Sequence, residues 1–443
     1  MTNILVFGAG KSSSYLIQYL LEHASKYFWQ VTVADANINA AIERVGDNHF
    51  GTAYQVEIHD ELVRKRLISN ANLVISLLPP TLHIVVAKDC FTLGKNLVTA
   101  SYVSPEIKAM HEDVRNAGLL FMNEIGLDPG IDHMSAMKII DEVEKLGGDI
   151  YSFKSYCGGL VAPSNDTNPW HYKISWNPRN IVLAGKAGAD YLEAGFEKHL
   201  PYQSLFKEYE MVNIPGLGKL AAYANRDSLS YMSLYGLNRV KTMLRATFRY
   251  EDFCIGWHAI IQLGLTNETD QHETKNMTFK DWFQAVVNLL PAETVLDRLK
   301  RLDPKNFQQA KELIEWLGIF ADEPIKLIGP CTSADILLHR IEEKWAMGPT
   351  DKDMIVMHHE FDYGRKNLDA KLTSTLIVEG VDKTYTAMAK TVGLPMAIFS
   401  KLFLTQKIKN LVGVQIPVMK EVYKPVLKEL TQYGIEFTES YLD

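Results

Sequence analysis

The sequence predicts an α/β fold in which a doubly wound parallel sheet is followed by a second, α+β domain. Three observations predict it. Short apolar runs alternate with helical patterns over the first 130 residues, a glycine-rich turn follows the first run, and longer strand patterns begin after residue 130. The chain of 443 residues also exceeds what one hydrophobic core usually supports. Two or three domains are therefore expected.

Six runs rich in apolar and β-branched residues are the predicted strands of the first domain, residues 1–130. They are Ile4–Phe7, Val31–Ala34, Ala53–Ile58, Leu73–Leu77, Leu97–Ala100 and Leu119–Met122. Helical patterns separate these runs. Parallel neighbours need a helix-length connection, and such crossovers are right-handed. The alternation therefore indicates βαβ units and a parallel sheet.

The second domain, residues 131–390, is predicted to combine an antiparallel sheet with a helical insert. Its strand patterns are Tyr151–Cys157, Thr242–Tyr250, Met354–Phe361 and Ser374–Val378. Apolar spacing near 3.6 places the insert at about residues 270–350, with helices at Trp282–Leu290, Val295–Leu302, Phe307–Leu317 and Ser333–Trp345.

Two helical patterns follow this domain, at Met396–Leu404 and Pro417–Tyr433. The second ends at Gly434, a residue type that suits a helix C-terminal cap. We expect residues 391–443 to pack back onto the first domain.

The composition is that of an ordinary globular protein, with 47% apolar and 22% charged residues. A formal net charge of −7 offers no basic footprint for a nucleic acid. No stretch reaches 18 uninterrupted apolar residues, and Met1–Gly10 lacks the pattern of a secretory signal. We therefore expect a cytoplasmic protein that binds neither nucleic acid nor membrane.

The cysteines and histidines do not predict a metal site or a disulfide framework. Four cysteines lie far apart without a CxxC pair, at Cys90, Cys157, Cys254 and Cys331. His358 and His359 are adjacent, and neighbouring residues on a strand point to opposite faces. Reduced thiols and no bound metal are expected.

The segment Gly8–Ser13 follows the first strand and opens the first helix, which is the context of a Rossmann dinucleotide-binding fingerprint. Gly8 permits the tight turn, and Gly10 lets the backbone approach a pyrophosphate at the helix start. Ser13 replaces the third glycine of the pattern and is small enough for close packing. Together with Lys11 and Ser12, these residues are predicted to bind NAD or NADP.

Asp35 ends the second strand, where a carboxylate accepts hydrogen bonds from the adenosine ribose and repels a 2′-phosphate. Ala36 and Asn37 follow it and offer no cation, so NAD is expected in preference to NADP. The alternative is that Asp35 caps the next helix. The cofactor wall is predicted at the ends of later strands, at Ser76, Leu77, Leu78, Thr99, Leu127 and Asp128.

Three segments carry more specific information than the fold: TASYVSP at 99–105, NEIGLDPGIDH at 123–133 and SYCGGL at 155–160. Shorter matches follow at 168–169, 172–176, 225–228 and 388–393. Together they resemble the saccharopine dehydrogenases of the L-glutamate-forming type, also called the saccharopine reductase family. The resemblance spans nearly the whole chain, and GLDPGIDH is its most specific element.

The resemblance implies a reaction in lysine metabolism. Saccharopine is oxidised at its C–N bond to L-glutamate and 2-aminoadipate 6-semialdehyde, with hydride transfer to NAD(P), or the reverse. It also implies a homodimer formed through the sheet of the substrate-binding and dimerisation domain. Because oxidation is followed by hydrolysis, the site needs groups that move protons as well as groups that bind carboxylates.

The same resemblance implies the substrate-site residues. Saccharopine carries three carboxylates, which suit planar guanidinium groups, so Arg226 and Arg245 are the predicted clamps. The other predicted substrate contacts are Ser101, Tyr102, Asp128, Cys157, Gly158, Lys173, Ser175 and Thr247. Tyr102, Asp128 and Cys157 are the catalytic candidates, with no single general base assigned.

Structural interpretations stay open beside these roles. The arginines also suit ion pairs, Tyr102 suits half-buried packing, and Asp128 suits an ordinary Asp-Pro-Gly turn. The nearest alternative enzyme is a carboxynorspermidine or homospermidine synthase, which would need acidic residues in its pocket. A third alternative is a non-catalytic NAD-binding protein that retains the fold.

Overall fold

The structure is a computed structural model that describes residues 1–287, 289–365 and 368–442. The chain divides into two compact units. Unit 1 comprises Met1–Asp149 and Leu376–Thr438, and unit 2 comprises Ile150–Thr375 and Glu439–Asp443.

The strands and helices are numbered in chain order. The strands are β1 (Thr2–Phe7), β2 (Trp29–Asp35), β3 (Gly51–Gln55), β4 (Leu73–Ser76), β5 (Asn96–Thr99), β6 (Leu120–Met122), β7 (Asp149–Val161), β8 (Ala189–Glu193), β9 (Phe196–Leu200), β10 (Tyr209–Ile214), β11 (Gly218–Ala224), β12 (Arg226–Asp227), β13 (Thr242–Arg249), β14 (His272–Glu273), β15 (Pro330–Cys331), β16 (Asp353–Arg365), β17 (Leu368–Glu379), β18 (Gly413–Gln415) and β19 (Thr438–Leu442). The helices are α1 (Ser14–Tyr27), α2 (Ile38–Val45), α3 (Glu61–Ser69), α4 (His83–Thr92), α5 (Pro105–Ala109), α6 (His111–Asn116), α7 (Ile131–Lys145), α8 (Pro178–Val182), α9 (Tyr202–Leu205), α10 (Ser230–Leu234), α11 (Glu251–Gln262), α12 (Phe279–Val286), α13 (Val295–Leu302), α14 (Phe307–Leu317), α15 (Ser333–Lys344), α16 (Ala387–Leu404) and α17 (Lys420–Leu430). Single 3-10 turns lie at Pro80–Leu82, Pro163–Asn165 and Thr431–Tyr433.

Unit 1 is built on a seven-stranded parallel sheet with the order β18-β6-β5-β4-β1-β2-β3. The six predicted strands are confirmed, and their order is that of a doubly wound Rossmann sheet. The seventh strand, β18, was not predicted because three residues are too few for a periodic pattern. It extends the sheet by pairing Gly413 with Leu120.

Helix α16 is the central helix of the C-terminal part of unit 1. It begins nine residues before the predicted start at Met396, because Gly393 and Pro395 in its interior conceal the helical pattern. A Cβ at Gly393 would lie 2.8 Å from the Leu16 amide nitrogen, so the glycine permits close packing on α1. By length and composition α16 would suffice to cross a membrane, and 72% of it is buried inside the unit.

The remaining elements of this part differ less from the prediction. Helix α17 and the following 3-10 turn cover most of Pro417–Tyr433, and Gly434 closes them with φ 70° as predicted. Helix α17 packs against α7. Unit 1 therefore includes α7, which the sequence prediction placed beyond a boundary at residue 130.

Unit 2 is built on a ten-stranded mixed sheet whose main path is β10-β11-β13-β7-β16-β17-β19. The prediction of an antiparallel sheet is wrong at its centre, because β13 pairs with β7 in parallel. An alternating pattern reports which face of a strand is buried but not the direction of its neighbour.

The helical insert lies where the sequence predicted it. Val295–Leu302 and Phe307–Leu317 are confirmed, and α15 ends one residue before the predicted Trp345. The predicted helix Trp282–Leu290 includes residue 288, which lies outside the described residues; α12 covers Phe279–Val286. The insert closes over a buried aromatic cluster that contains Trp170, Trp257, Trp282 and Trp345.

Candidate active site

The glycine-rich turn lies where β1 ends, at the carboxyl edge of the parallel sheet. Gly8 has φ 104°, and a Cβ on it would lie 2.9 Å from the Leu77 carbonyl oxygen. A Cβ on Gly10 would meet nothing within 4 Å. Ser13 is buried, and its hydroxyl donates to the Gly10 carbonyl at 2.7 Å. The turn is thus packed on one side at Gly8 and open at Gly10, as a pyrophosphate site requires.

The Asp35 carboxylate holds the backbone of this turn. Its Oδ2 accepts from the Ala9 amide at 2.7 Å, and its Oδ1 accepts from the Asn37 amide at 2.8 Å. The alternative that Asp35 caps α2 is wrong, because the Asn37 side chain accepts from the Asn39 and Ala40 amides. Asp35 is therefore a structural residue of the loop whether or not it contacts ribose.

A cation that the sequence analysis missed reaches the same loop. Arg44 lies near the end of α2, and its Nε donates to the Ser13 hydroxyl at 3.3 Å. The contact brings together two residues 31 positions apart, and no local pattern marks it. Two cations thus lie at this edge of the nucleotide site. Arg44 contacts Ser13, and Lys11 is part of the glycine-rich turn.

Ser76 is the last residue of β4, Ser101 lies two residues beyond the end of the neighbouring β5, and one histidine joins them. The buried ring of His83 is hydrogen-bonded to Ser76 Oγ through Nδ1 at 2.8 Å and to Ser101 Oγ through Nε2 at 2.7 Å. Burial lowers the pKa of His83 to about 4, so the ring is neutral near pH 7. The sequence analysis did not single out His83.

Tyr102 and Asp128, two of the catalytic candidates, are hydrogen-bonded to each other. The Tyr102 hydroxyl donates to Asp128 Oδ1 at 3.0 Å. Beside them, Glu124 accepts from the Val103 amide at 2.9 Å and contacts His133 Nε2 at 2.9 Å. The GLDPGIDH segment thus forms a turn that holds Asp128 against the Tyr102 loop.

Gly130 explains why this turn needs its sequence. It has φ 146°, and a Cβ on it would lie 2.2 Å from the backbone of Gly126. The Gly130 amide donates to the buried Asp132 carboxylate at 2.5 Å. His133 is also buried. Any larger residue at position 130 would therefore move Asp128.

In unit 2, parallel pairing places predicted substrate residues side by side. Register pairs Arg245 with Ser155 and Thr247 with Cys157. Alternation along the strands puts all four side chains on one face of the sheet. The following Gly158 packs against the neighbouring strand, since a Cβ there would lie 2.6 Å from Phe248 Cβ. The pairing of β7 and β13 therefore assembles the candidate substrate face.

Arg249 continues this face, and the sequence analysis missed it. Its guanidinium carbon lies 5.3 Å from the ring centres of both Tyr172 and Phe253, and Nη1 donates to the Phe248 carbonyl at 2.7 Å. Nε is buried without a hydrogen-bond partner, and within residues 1–287, 289–365 and 368–442 no carboxylate pairs with the side chain. Arg249 could have been predicted from its spacing, because residues 245, 247 and 249 of one strand share a face.

Of the other predicted substrate residues of unit 2, Lys173, Ser175 and Arg226 lie on other segments of the chain. Lys173 forms an ion pair with Asp351 at 2.7 Å, so its ammonium already has a partner inside the unit. Ser175 is buried, and Arg226 is exposed on the two-residue strand β12 with φ 54°. Arg245 is buried, with its guanidinium 4.4 Å from the Tyr231 ring centre. Their roles as substrate ligands stay predictions.

These features define a class of protein: a Rossmann unit with a site for a nicotinamide nucleotide, joined in one chain to a mixed-sheet unit that carries arginines on one face. Comparison with known families identifies the member. The profile "Saccharopine dehydrogenase NADP binding domain" matches residues 4–122, and "Saccharopine dehydrogenase C-terminal domain" matches residues 126–435. The chain belongs to the saccharopine dehydrogenase family.

Individual relatives agree with this membership. "Saccharopine dehydrogenase [NADP(+), L-glutamate-forming]" from Schizosaccharomyces pombe is 32% identical, and the match covers 100% of both chains. Bovine "alpha-aminoadipic semialdehyde synthase, mitochondrial" is 35% identical over 98% of this chain. The chain spans about half of that longer relative, since the match covers 47% of it.

Solved structures give the same result. Apo saccharopine dehydrogenase (L-Glu forming) from Saccharomyces cerevisiae matches the whole of both chains with a TM-score of 0.87 and 30% identity. A homospermidine synthase from Legionella pneumophila matches with a TM-score of 0.57 at 11% identity, a likeness of fold alone. The resemblance and fold class predicted from the sequence are confirmed. The expected preference for NAD is not supported, because the profile and the fungal relatives carry NADP in their names.

Proposed function

We propose that this chain is a saccharopine dehydrogenase of the L-glutamate-forming type. In the oxidative direction, the carbon of the saccharopine C–N bond on the lysine side gives a hydride to the nicotinamide nucleotide and becomes an imine carbon. Water adds to that carbon, and the C–N bond then breaks. The products are L-glutamate, 2-aminoadipate 6-semialdehyde, the reduced nucleotide and a proton.

The observation that carries this proposal is the cationic face of β13. Arg245 and Arg249 are both buried there, beside Thr247 and the register partner Cys157. Nε of Arg249 is buried without a hydrogen-bond partner, and a carboxylate is the group that best matches a buried guanidinium. Saccharopine supplies three carboxylates. A polyamine substrate would be repelled by such a face, so the homospermidine synthase alternative is not favoured.

The residues of unit 1 suit the nucleotide and the proton transfers. The bound nucleotide supplies the hydride acceptor, and the open backbone at Gly10 with the start of α1 would hold its pyrophosphate. The Asp128 carboxylate, which accepts from the Tyr102 hydroxyl, would hold or accept a proton from the substrate amine or from water. Ser101 would bind the substrate beside them.

We propose NADP as the nucleotide. The carboxylate oxygens of Asp35 are engaged by the Ala9 and Asn37 amides, and Arg44 contacts the loop at Ser13. Arg44 would compensate the 2′-phosphate charge. The names of the family profile and of the fungal relatives support this choice.

Arg44→Ala tests the nucleotide proposal. The variant should raise KM for NADP about tenfold or more and leave KM for NAD nearly unchanged, because the cation would act only on the 2′-phosphate. The exposed Arg301→Ala in the helical insert is the matched control. A wild-type enzyme that prefers NAD would contradict the proposal and would restore the ribose-binding interpretation of Asp35.

We also propose a cytoplasmic homodimer. Strands β17 and β19, at the end of the unit 2 sheet, expose Ile377 and Tyr441 at 40% and 60%. Exposed apolar side chains on adjacent strands support an association surface. Light scattering during size-exclusion chromatography should give twice the chain mass of 50.1 kDa, and Ile377→Glu with Tyr441→Glu should shift the mass toward that of the monomer.

The substrate proposal is tested at Arg249. Arg249→Met removes the guanidinium charge and leaves an apolar side chain of similar length beside Tyr172 and Phe253, so the unit should fold while KM for saccharopine rises about a hundredfold. KM for the nucleotide should change less than twofold. An unchanged KM for saccharopine would remove Arg249 from the substrate site.

A further inference from the structure

His83 occupies a position that the reaction described above does not use. It is the first residue of α4, seven residues after Ser76 at the end of β4. Its ring is buried, and both ring nitrogens are hydrogen-bonded to serine hydroxyls, to Ser76 at 2.8 Å and to Ser101 at 2.7 Å. Ser76 is the last residue of β4, and Ser101 lies two residues beyond the end of the adjacent parallel strand β5.

In a neutral imidazole the two ring nitrogens have different hydrogen-bonding roles, so the two serine hydroxyls must also have different roles. One ring nitrogen carries a proton and donates, and the other accepts. One serine hydroxyl must therefore accept from His83 while the other donates to it. Burial keeps the ring neutral near pH 7 by lowering the pKa of His83 to about 4. Each serine hydroxyl therefore uses either its donor or its acceptor function on His83. The other function stays available to a ligand.

Among the described residues, Ser101 itself is otherwise held through its backbone. The Ser101 amide donates to Thr99 Oγ1 at 3.2 Å, and its carbonyl accepts from the Glu124 amide at 3.1 Å. These contacts set the position of the loop but not the rotation of the Ser101 hydroxyl. His83 is the described residue that sets this rotation.

We propose that His83 is a positioning residue, which orients the Ser101 hydroxyl toward the substrate and links it to Ser76 in the nucleotide wall. This rests on the proposed function, because Ser101 contacts saccharopine only in that account. His83 would act through Ser101 and would not itself contact the substrate. Its loss should therefore weaken catalysis with saccharopine and leave nucleotide binding nearly intact.

A double-mutant cycle in the full-length chain tests this link. Ser101→Ala and His83→Phe should each lower kcat/KM for saccharopine about tenfold, and the double variant should lose no more than Ser101→Ala alone, because the two residues act as one. His83→Gln, which keeps a donor and an acceptor, should recover part of the loss. The dissociation constant of NADPH, followed by its fluorescence, should change less than twofold in all of them. His59→Phe, at an exposed histidine of the same unit, is the control.

Two results would overturn the proposal. If the double variant loses the product of the two single losses in kcat/KM, His83 acts independently of Ser101. If His83→Phe weakens NADPH binding as much as it lowers kcat/KM, His83 supports the fold of the nucleotide site.

Nitrogen NMR of ¹⁵N-histidine protein, assigned with His83→Phe, adds a test that needs no turnover. One fixed neutral tautomer of His83 is expected in the wild type, and tautomer averaging is expected in Ser101→Ala. An averaged wild type would refute the positioning role, even if the protein did not oxidise saccharopine. Lack of turnover with a fixed tautomer would instead refute the proposed function alone.

Discussion

At the scale of single residues, the polar groups of unit 1 hold backbone and side chains in place for a ligand. Asp35 binds the amides of the glycine-rich turn, and His83 binds two hydroxyls. Of the two glycines in the turn, Gly8 is packed against Leu77, whereas Gly10 lies near the helix start with open space beside it. The nucleotide site is therefore most sensitive to steric change at this residue.

Gly10→Ala should weaken nucleotide binding without destabilising the fold. The added Cβ meets nothing within 4 Å in the protein, but it would occupy space next to the pyrophosphate. We expect the dissociation constant of NADPH to rise at least tenfold, about 1.4 kcal/mol. The melting temperature without nucleotide should stay within about 1–2 °C of the wild type. Unchanged affinity would place the pyrophosphate elsewhere.

His83 also predicts how stability depends on pH. Its pKa is about 4 in the fold and 6.5 ordinarily, so the unfolded chain takes up the proton first as pH falls. Neutral His83 contributes its full share to the free energy of unfolding above pH 6.5. This contribution, at most ~3 kcal/mol, is lost as the pH falls from about 6.5 to 4. Chemical unfolding of wild type and His83→Gln at pH 7 and 4.5 should show a smaller pH effect in the variant. Equal effects would contradict this.

The sequence allowed part of this site to be predicted. Gly8, Gly10, Tyr102 and Asp128 each lie within a short continuous motif, so the sequence around each residue was enough to select it. Arg44 and His83 were missed because their partners lie on other elements. Arg249 was missed because two features make it a candidate for carboxylate binding, its burial and its lack of an ion pair with a carboxylate of the described residues. Neither feature can be read from the sequence.

At the scale of elements, the candidate substrate face depends on how closely β7 and β13 approach each other. Their parallel register sets Cys157 beside Thr247. The helices of the insert and the parallel order of unit 1 follow from periodicity and were predictable. The direction of β13 and the short strand β18 were not, because each is decided by a partner distant in sequence.

Gly158→Ala should destabilise unit 2. The new Cβ would lie 2.6 Å from both Phe248 Cβ and the Phe248 carbonyl oxygen, so the strands must separate. Overpacking of this kind costs about 1–3 kcal/mol, and kcat/KM for saccharopine should fall with it. Gly364→Ala on β16, where a Cβ meets nothing within 4 Å, is the matched control. Urea unfolding of the two variants measures the difference. Equal midpoints would refute the packing argument.

At the scale of the whole molecule, unit 1 is discontinuous in sequence. Residues Leu376–Thr438 contribute α16, which packs on α1, and β18, which extends the sheet. The sequence analysis expected the C-terminal segment to return to the first domain, although it placed the return at residue 391. Unit 1 cannot be completed until residues 376–438 have been synthesised.

A fragment of residues 1–149 should therefore fail to bind NADPH. Helix α16 packs on α1, with Gly393 lying against Leu16, so its removal would expose buried residues of α1. Joining residues 376–438 to the fragment through a flexible linker should restore binding. Fluorescence titration with NADPH measures both proteins, and binding by the short fragment would show that the C-terminal segment is dispensable to the site.

The central claim is that this chain oxidises saccharopine through a site that recognises its carboxylates. Absorbance of the reduced nucleotide should be followed at alkaline pH, where release of a proton favours oxidation, with saccharopine and either NADP or NAD. We predict turnover that forms L-glutamate, prefers NADP and loses kcat/KM in Arg226→Ala and Arg249→Met. No turnover with either nucleotide, from protein that still binds NADPH, would contradict the claim.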